Sequence, residues 1–288
     1  MSIKDVPTGC PNGPKPSSTS DDETRLLGPT KPELKDLPSN FDARQKFASC
    51  AGVIGHVRDQ SACHNCWTVS STGMLNDRVC IKSGGTFRDI LSVGYFTSCC
   101  NPANGCPKAK GCQGGNLLEG LNFLKNHGIV TGDEFKPAGQ LSSADGCWPY
   151  PFPKCKHAGY SSPACQTKCT NKAYKTSLQQ DLHRAKSFGR LPAIPQNIKQ
   201  EIFTNGPVIG MLSIYEDIRV YKAGVYVHQT GSFQGIHTLK IIGWGVESGQ
   251  DYWLAVNSWN EEWGDHGMIK LAVGRTGIEN SVYYVEPA

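Results

Sequence analysis

The sequence has few charges and no long apolar run. Charged residues make up 19% of the 288 residues, and 29 Lys and Arg against 25 Asp and Glu give a net charge of +4. No basic block stands out, which argues against a nucleic-acid-binding protein that relies on bulk charge. The apolar runs are far shorter than the roughly 20 residues that span a bilayer, so we predict no transmembrane helix.

Two processing signals are also missing. The first ten residues, MSIKDVPTGC, lack the apolar segment of a secretory signal peptide. No Asn-x-Ser/Thr acceptor for N-glycosylation occurs in the chain. Residues 1–36 are polar, rich in Pro, Ser, Thr, Asp and Lys, and show no sustained apolar period, so we interpret them as a linker or pro-segment. Folded sequence is expected to begin at LPSNFDAR, residues 37–44.

Cysteine, by contrast, is abundant. The chain has 13 cysteines, scattered along its length, with Cys99 and Cys100 adjacent. Few of them have the spacing of zinc ligands, so the pattern indicates disulfides formed in an oxidising compartment. Because 13 is odd, at least one cysteine stays unpaired or pairs outside the chain, and an unpaired cysteine is either without a role or the reactive group.

The apolar period changes along the chain from helical to strand-like. Helices are predicted at 66–81, 117–124 and 195–203, and six strands between 207 and 285. A long irregular stretch at 133–176 is dense in Pro, Gly, Lys and Cys, which favours a functional loop held by disulfides. This order predicts an α+β protein of two subdomains with a cleft between them.

The segment DQSACHNCW, residues 59–67, carries the strongest candidate nucleophile. Cys66 lies at the predicted start of the first helix, where backbone N–H groups and the helix dipole favour a thiolate. Asn65 is expected to cap that helix. The side-chain amide of Gln60, six residues upstream of Cys66, is suited to donate to an oxyanion beside the sulfur, together with the Cys66 N–H.

A cysteine nucleophile requires a base and a group that orients the base. Among the eight histidines, His237 has the best setting, at the start of the predicted strand HTLKIIGWG. Asn257 is suited to orient the imidazole through its amide, and Trp259 to shield that bond from water. We expect His237 on one subdomain to face Cys66 on the other across the cleft.

These segments resemble the papain-like cysteine peptidases, and within them the cathepsin B group. The resemblance covers roughly residues 37–286. The matching segments, in order, are FDAR, NDRVCI, TSCC, GCQGG, PYPFPKC, NGPV, YKAGVY, IIGWGVESG, YWLAVNSWN and WGDHG. Agreement of several motifs in order is a specific signal, whereas each motif alone is weak.

The resemblance implies a role for individual residues. Cys66 is implied to be the nucleophile, His237 the base and then the acid, Asn257 the orienting group and Gln60 the oxyanion donor. The reaction implied is acyl transfer through a thioester on the cysteine. The residues implied to bind substrate are Gly114, Gly115, His157, Trp259, Ser281 and His64. The resemblance implies no metal and no other cofactor.

Most of the disulfides also follow from the resemblance. The implied pairs are Cys50–Cys80, Cys63–Cys112, Cys100–Cys106, Cys99–Cys165 and Cys147–Cys169. Cys155 then has no partner. A pair between Cys155 and Cys165, which leaves Cys99 unpaired, stays an alternative.

Four positions depart from the cathepsin B pattern. His64 and Asn65 replace Gly-Ser, so a larger side chain narrows the S1 region or adds a titrating group. Only His157 remains of the two occluding-loop histidines that hold a substrate carboxylate, so we expect mainly endopeptidase activity and doubt dipeptidyl carboxypeptidase activity. Ser281 stands where an acidic residue accepts Arg at P2, which favours apolar P2 residues. Ile236 replaces a Gly before the base and crowds the primed side.

We therefore predict a papain-like α+β fold with an antiparallel, β-barrel-like right subdomain. Residues 1–36 are interpreted as a truncated propeptide remnant, 37–184 as the helical left subdomain with a shortened occluding loop at about 147–169, and 185–288 as the right subdomain. The expected partners are peptide and protein substrates and cystatin-like or propeptide inhibitors, with no nucleic acid, no membrane and a monomeric state. The compartment implied is lysosome-like, vacuole-like or extracellular.

Three other interpretations stay open. Cys63 and Cys66 form a CxxC motif of the thioredoxin-like kind, although the aromatic residue there usually precedes the first Cys and Trp67 follows the second. Cys63, His64 and Cys66 with a distant ligand form a candidate zinc site. The third is a catalytically impaired papain-fold homologue that binds peptides or proteins, which the crowding by His64 and Ile236 favours.

Overall fold

The computed structural model describes residues 36–154 and 159–288. Within these ranges, helices and one large sheet give an α+β arrangement. The helices are α1 (Ala43–Lys46), α2 (Ala51–Ile54), α3 (Cys66–Lys82), α4 (Val93–Cys99), α5 (Leu117–Asn126) and α6 (Pro195–Asn205). The strands are β1 (Phe41–Asp42), β2 (Ala185–Arg190), β3 (Val208–Tyr215), β4 (Val225–Tyr226), β5 (Phe233–Glu247), β6 (Gln250–Val256), β7 (Met268–Ala272) and β8 (Val282–Pro287).

The sheet has the strand order β2-β8-β3-β5-β6-β7-β4, and β1 pairs with β5. Its pairs are antiparallel except for β4 and β7, which run parallel. The predicted antiparallel sheet is therefore present, with one exception: β4 (Val225–Tyr226) pairs with β7 in the parallel direction. The central strand β5 is buried from 235 to 245, which explains its nearly continuous apolar sequence.

Helix α3 is the buried axis of the helical part. It packs against α4, α5, β5 and β8. Almost every residue of α3 is buried, so its sequence shows little of the two-sided pattern typical of surface helices. Among the described residues, none of the helices is long and apolar enough to cross a membrane.

The three predicted helices are present as α3, α5 and α6. Glycines end the last two: Gly128 and Gly206 have φ angles of +81° and +97°, which other residues rarely adopt. Helix α4 and strand β2 were not predicted. The seven residues of α4 are all buried, so no alternation of polar and apolar residues marks them. Strand β2 lies at the edge of the sheet and lacks a clear apolar face.

Five disulfides have both of their cysteines within the described residues. They are Cys50–Cys80, Cys63–Cys112, Cys99–Cys165, Cys100–Cys106 and Cys147–Cys169. These are the pairs that the resemblance implies, and the alternative pair of Cys165 with Cys155 is wrong. Two of the five anchor the irregular stretch at 133–176. The predicted propeptide remnant up to residue 35, and Cys155 and His157, lie outside the described residues.

Candidate active site

The first turn of α3 is fixed to the strand that carries His237. Cys66 is the first residue of α3. Ser70, one turn later, donates a hydrogen bond from Oγ to the carbonyl oxygen of Thr238 at 2.7 Å, and Thr238 follows His237 in β5. The candidate nucleophile and the candidate base therefore lie on two elements that a buried hydrogen bond joins.

The sulfur of Cys66 is itself disulfide-bonded, in a bond separate from the five pairs above. Its partner is not Cys63, because Cys63 is paired with Cys112. The interpretation of Cys63 and Cys66 as a redox pair is therefore wrong, and Cys63 has no thiolate to offer a zinc ion. Only a thiolate is nucleophilic, so Cys66 needs reduction before it reacts.

His237 is held by the side chain of Asn257. Asn257 Oδ1 accepts a hydrogen bond from the backbone N–H of Ser258 at 2.8 Å, which identifies this atom as the amide oxygen. The same oxygen lies 2.7 Å from His237 Nε2. Since an amide oxygen only accepts, Nε2 is the donor and carries the proton. In the neutral ring, the lone pair is then on Nδ1, which has no partner among the described residues.

Burial controls the protonation of His237. The residue is fully buried, and this burial lowers the pKa of the imidazole from its ordinary 6.5 to about 4, against a smaller raising effect of the hydrogen bond to Asn257. The ring centre of Trp259 lies 4.8 Å from that of His237. That Trp259 shields the histidine–asparagine contact from water stays a prediction.

Gln60 is locked in place from both ends of its amide. Its Oε1 accepts a hydrogen bond from Ser258 Oγ at 2.6 Å, and its Nε2 donates to the Cys63 carbonyl at 2.8 Å. The Gln60 backbone N–H donates to the Ser258 carbonyl at 2.9 Å. An amide nitrogen carries two hydrogens, so Nε2 has a second hydrogen besides the one donated to Cys63. Its donation to an oxyanion stays a prediction.

Residues missed in the sequence support this arrangement. Asn65 is the N-cap residue of α3, as predicted, but its side chain makes no capping hydrogen bond. Its Nδ2 donates instead to Thr97 Oγ1 at 2.9 Å and to the Tyr150 hydroxyl at 3.2 Å. That hydroxyl donates in turn to the Gln60 carbonyl at 2.9 Å. Tyr150 belongs to the PYPFP segment of the irregular stretch. Its position between two prolines was the only feature of the sequence that marked it as a candidate site residue. Ser258, beside Asn257, was missed for lack of any local pattern.

The residues implied to bind substrate have diverse settings. Gly114 has a φ of +103°, and a Cβ on Gly115 would lie 2.4 Å from the Trp67 ring, so both positions require glycine. His64 donates its backbone N–H to the Cys112 carbonyl at 2.9 Å. Ser281 is buried at the end of a 3-10 turn before β8. Contact of these residues with substrate stays a prediction.

Ile236 precedes His237 in β5 and faces Ser213 of β3 in the strand register. Its side chain is only 4% exposed, so most of it packs inside the protein. The predicted crowding of the primed side by Ile236 is not tested by this geometry and stays a prediction.

One group of side chains among the described residues has the spacing of metal ligands. Atoms of His56, Asp133 and Glu134 lie within 4.8 Å of one another. Glu134 already receives a hydrogen bond from the Arg58 guanidinium at 3.2 Å and contacts His56 Nε2 at 3.0 Å. A guanidinium at this distance competes with a cation, so the cluster is better described as an ion-pair network.

Comparisons with known proteins agree with this geometry. Residues 37–286 match the family described as papain family cysteine protease. The chain belongs to this family. The cathepsin B-like cysteine proteinase of Schistosoma japonicum is 39% identical over 260 residues, which are 86% of this chain and 72% of that protein. The gut-specific cysteine proteinase of Caenorhabditis elegans is 37% identical over 254 residues, or 86% and 73% of the two chains.

Solved structures place the fold in the same family. Procathepsin B S9 of Trypanosoma congolense has a TM-score of 0.75 and 27% identity, covering 99% of this chain and 87% of the other. Digestive procathepsin L 3 of Tenebrio molitor has a TM-score of 0.68 at 20% identity, covering 99% and 77%, and supports the fold alone. The predicted papain-like α+β fold is confirmed, and the papain-family chain is a cathepsin B-like cysteine peptidase.

The buried setting of His237 predicts how its protonation depends on Cys66. In a Cys66→Ser variant no thiolate is present, so the pKa of His237 should lie well below 6.5, in the direction of 4. The unfolded chain then binds more protons than the folded one between pH 4 and 6.5, so folding stability should fall as the pH decreases through this window. In the reduced parent protein a thiolate favours the imidazolium, and the pKa should be higher.

NMR titration of the imidazole signals measures both forms. Equal pKa values of His237 in the two proteins would show that Cys66 and His237 do not interact.

Proposed function

We propose that this papain-family peptidase cleaves peptide bonds through Cys66, with His237 as base and acid. The single observation that carries the proposal is the contact of Asn257 Oδ1 with His237 Nε2, because it leaves Nδ1 as the proton acceptor. The hydrogen bond between Ser70 and Thr238 supports the pairing of Cys66 with this histidine. The fixed amide of Gln60 supports its role as the oxyanion donor.

In the proposed reaction a thiol reductant first frees Cys66 by disulfide exchange and is itself oxidised. His237 Nδ1 takes the proton of the Cys66 thiol, which gives a thiolate and an imidazolium. The sulfur attacks the scissile carbonyl carbon, and the π electrons of the C=O bond move onto oxygen, where Gln60 Nε2 donates a hydrogen bond. The imidazolium protonates the nitrogen as the C–N bond breaks. His237 then deprotonates a water molecule, which displaces the thiolate from the thioester.

The substrate preference that we propose rests on two residues. With His157 as the single histidine of the occluding-loop pair, the enzyme is proposed to be mainly an endopeptidase with little dipeptidyl carboxypeptidase activity. With Ser281 in place of an acidic residue, it is proposed to prefer apolar residues over Arg at P2. Propeptide and cystatin-like inhibitors, a monomeric state and a lysosome-like or extracellular compartment complete the proposal.

The balance of the two activities can be measured with one pair of peptides. An internally quenched decapeptide with an amidated C-terminus and the same peptide with a free carboxylate should have similar kcat/KM values. Mass spectrometry should show internal cleavage of both, because little binding energy comes from the terminal carboxylate. His157→Ala serves as the matched variant and should change neither value. Removal of C-terminal dipeptides that is more than about tenfold faster for the free acid, and that is lost in His157→Ala, would contradict the proposal.

A further inference from the structure

Two neighbouring residues of α3 make buried ion pairs, one with a strand of the sheet and the other with helix α6. Asp77 Oδ2 lies 2.8 Å from Lys240 Nζ in β5. Arg78 Nη1 lies 2.9 Å from Glu201 Oε1 in α6. All four side chains are at most 5% exposed. A buried ion pair is weak evidence for stability, because its desolvation cost is close to its attraction, so its position in the protein is the more informative property.

The Asp77–Lys240 pair joins the two elements that carry the proposed nucleophile and base. Asp77 is on the helix that begins at Cys66. Lys240 is three residues after His237 on the same strand and lies opposite Val256 in the register of β5 and β6, next to Asn257. The Arg78–Glu201 pair differs in this respect, since α6 carries none of the proposed catalytic residues.

The helix is shaped to receive the lysine. A Cβ added to Gly73 of α3 would lie 3.3 Å from Lys240 Cδ and 3.5 Å from its Nζ, so the stem of Lys240 runs along the helix at this glycine. Glycine in the interior of a helix is unfavourable relative to alanine. The presence of Gly73 is explained by the space that Lys240 occupies.

Lys240 also shares a small cavity with the proposed catalytic asparagine. The cavity has a volume of about 20 Å³, close to the size of one water molecule. Its lining includes Lys240, Asn257, Ser70 and Gly73. The Nδ2 atom of Asn257 is buried without a partner among the described residues. The amide that orients His237 and the buried ammonium therefore border the same small cavity.

We infer that Lys240, with its counter-ion Asp77, is a positioning residue for the proposed active site. The pair fixes β5 against α3 and so sets the position of His237 relative to Cys66. This inference rests on the proposed function.

Other charged groups act on the pair. Asp77 interacts with Lys240 and with Arg58 and His56 from the segment before α3, and the neighbouring Arg78 also interacts with it. Burial raises the pKa of Asp77 and the ammonium of Lys240 opposes this change. Burial likewise lowers the pKa of Lys240, which Asp77 opposes. Each partner thus maintains the charge of the other.

The test compares the loss of the Asp77–Lys240 pair with the loss of the Arg78–Glu201 pair, which α3 also forms. Lys240→Met and the isosteric Asp77→Asn remove the pair with β5, and Glu201→Gln removes the neighbouring pair with α6. All three should lower the melting temperature. Lys240→Met and Asp77→Asn should lower kcat by about ten- to a hundredfold with little change in KM, because small misplacements of reacting groups have effects of this size. Glu201→Gln should leave kcat within about twofold of the parent. If one of the first two variants does not fold, the other provides the comparison.

A second readout does not depend on activity. In the Cys66→Ser background, Lys240→Met should move the pKa of His237 toward 6.5, because a displaced imidazole is better solvated, and Glu201→Gln should not. Equal effects of the two variants on kcat and on the His237 titration would overturn the inference and leave a merely structural pair. An inactive parent protein with the expected NMR difference would contradict the proposed function but not the positioning role.

Discussion

Replacing Cys66 by Ser is expected to lower kcat for peptide hydrolysis by roughly 10⁴- to 10⁶-fold, the scale seen when a nucleophile is removed from a catalytic unit. A serine hydroxyl beside His237 keeps the shape of the site but is a far weaker nucleophile than a thiolate. Since the change is nearly isosteric, peptide affinity should stay close to that of the parent enzyme. Stopped-flow or fluorimetric assays after reduction with a dithiol measure kcat, and titration with a cleavage-resistant peptide measures affinity.

A matched control shows whether the loss of activity is specific to Cys66 or follows from replacing any cysteine. The Cys100–Cys106 disulfide closes a loop with a sequence separation of only 6, so a Cys100→Ser/Cys106→Ser double variant should fold and keep its activity. If Cys66→Ser retains hydrolysis near the parent level, the proposed nucleophile is wrong. If the parent protein binds the peptide without cleaving it, the binding-module interpretation becomes the better one.

Replacing Gln60 by Ala is expected to lower kcat by about 10²- to 10³-fold, the usual effect of removing one oxyanion donor. KM should change little, because the donor acts on charge that develops only in the transition state. The Cys66 sulfur should still react with small alkylating reagents, since Gln60 does not take its proton. Steady-state kinetics and the rate of alkylation by iodoacetamide together measure the two effects.

Gln250→Ala provides the control for a glutamine far from the site, at the start of β6, and should behave as the parent enzyme. Gln60→Glu is the sharper variant, because it keeps the side-chain length and loses the N–H donor, and it should be as impaired as Gln60→Ala. If Gln60→Ala lowers kcat and the alkylation rate equally, Gln60 maintains the structure of the site and does not act by stabilising the oxyanion.

The sequence allowed prediction of those site features that depend on local patterns. Cys66 lies at the start of a helix, and the apolar pattern that begins at His237 belongs to β5, which itself begins at Phe233. Both patterns are visible within ten residues of chain. Asn257 and Gln60 were proposed as partners from the chemistry of their amides, and the motif resemblance then supported these roles and supplied the disulfide pairs. The buried strand β5 was recognised because it is covered on both faces and its buried part is therefore mostly apolar, apart from His237, Thr238 and Lys240.

Features that depend on long-range contacts were not predicted. Ser258 orients Gln60 across a sequence separation of 198 residues, and no local pattern marks this contact. Asn65 was predicted to cap α3, which is its common role, but its amide is used by Thr97 and Tyr150 instead. Helix α4 is buried on every side, so its sequence lacks the alternation of apolar and polar residues by which a helix is predicted. Each of these failures comes from tertiary packing that overrides a local preference.

Reaction with a mechanism-based label is the most direct test of the central claim. After reduction with a dithiol, the protein is treated with a biotinylated epoxysuccinyl peptide, which requires both an activated thiolate and an open peptide cleft, and the labelled residue is identified by mass spectrometry. The account predicts labelling at Cys66, dependent on reduction, and none in Cys66→Ser or at the ten paired cysteines of the described residues. Labelling at another cysteine, or hydrolysis that continues without any labelling of Cys66, would contradict it.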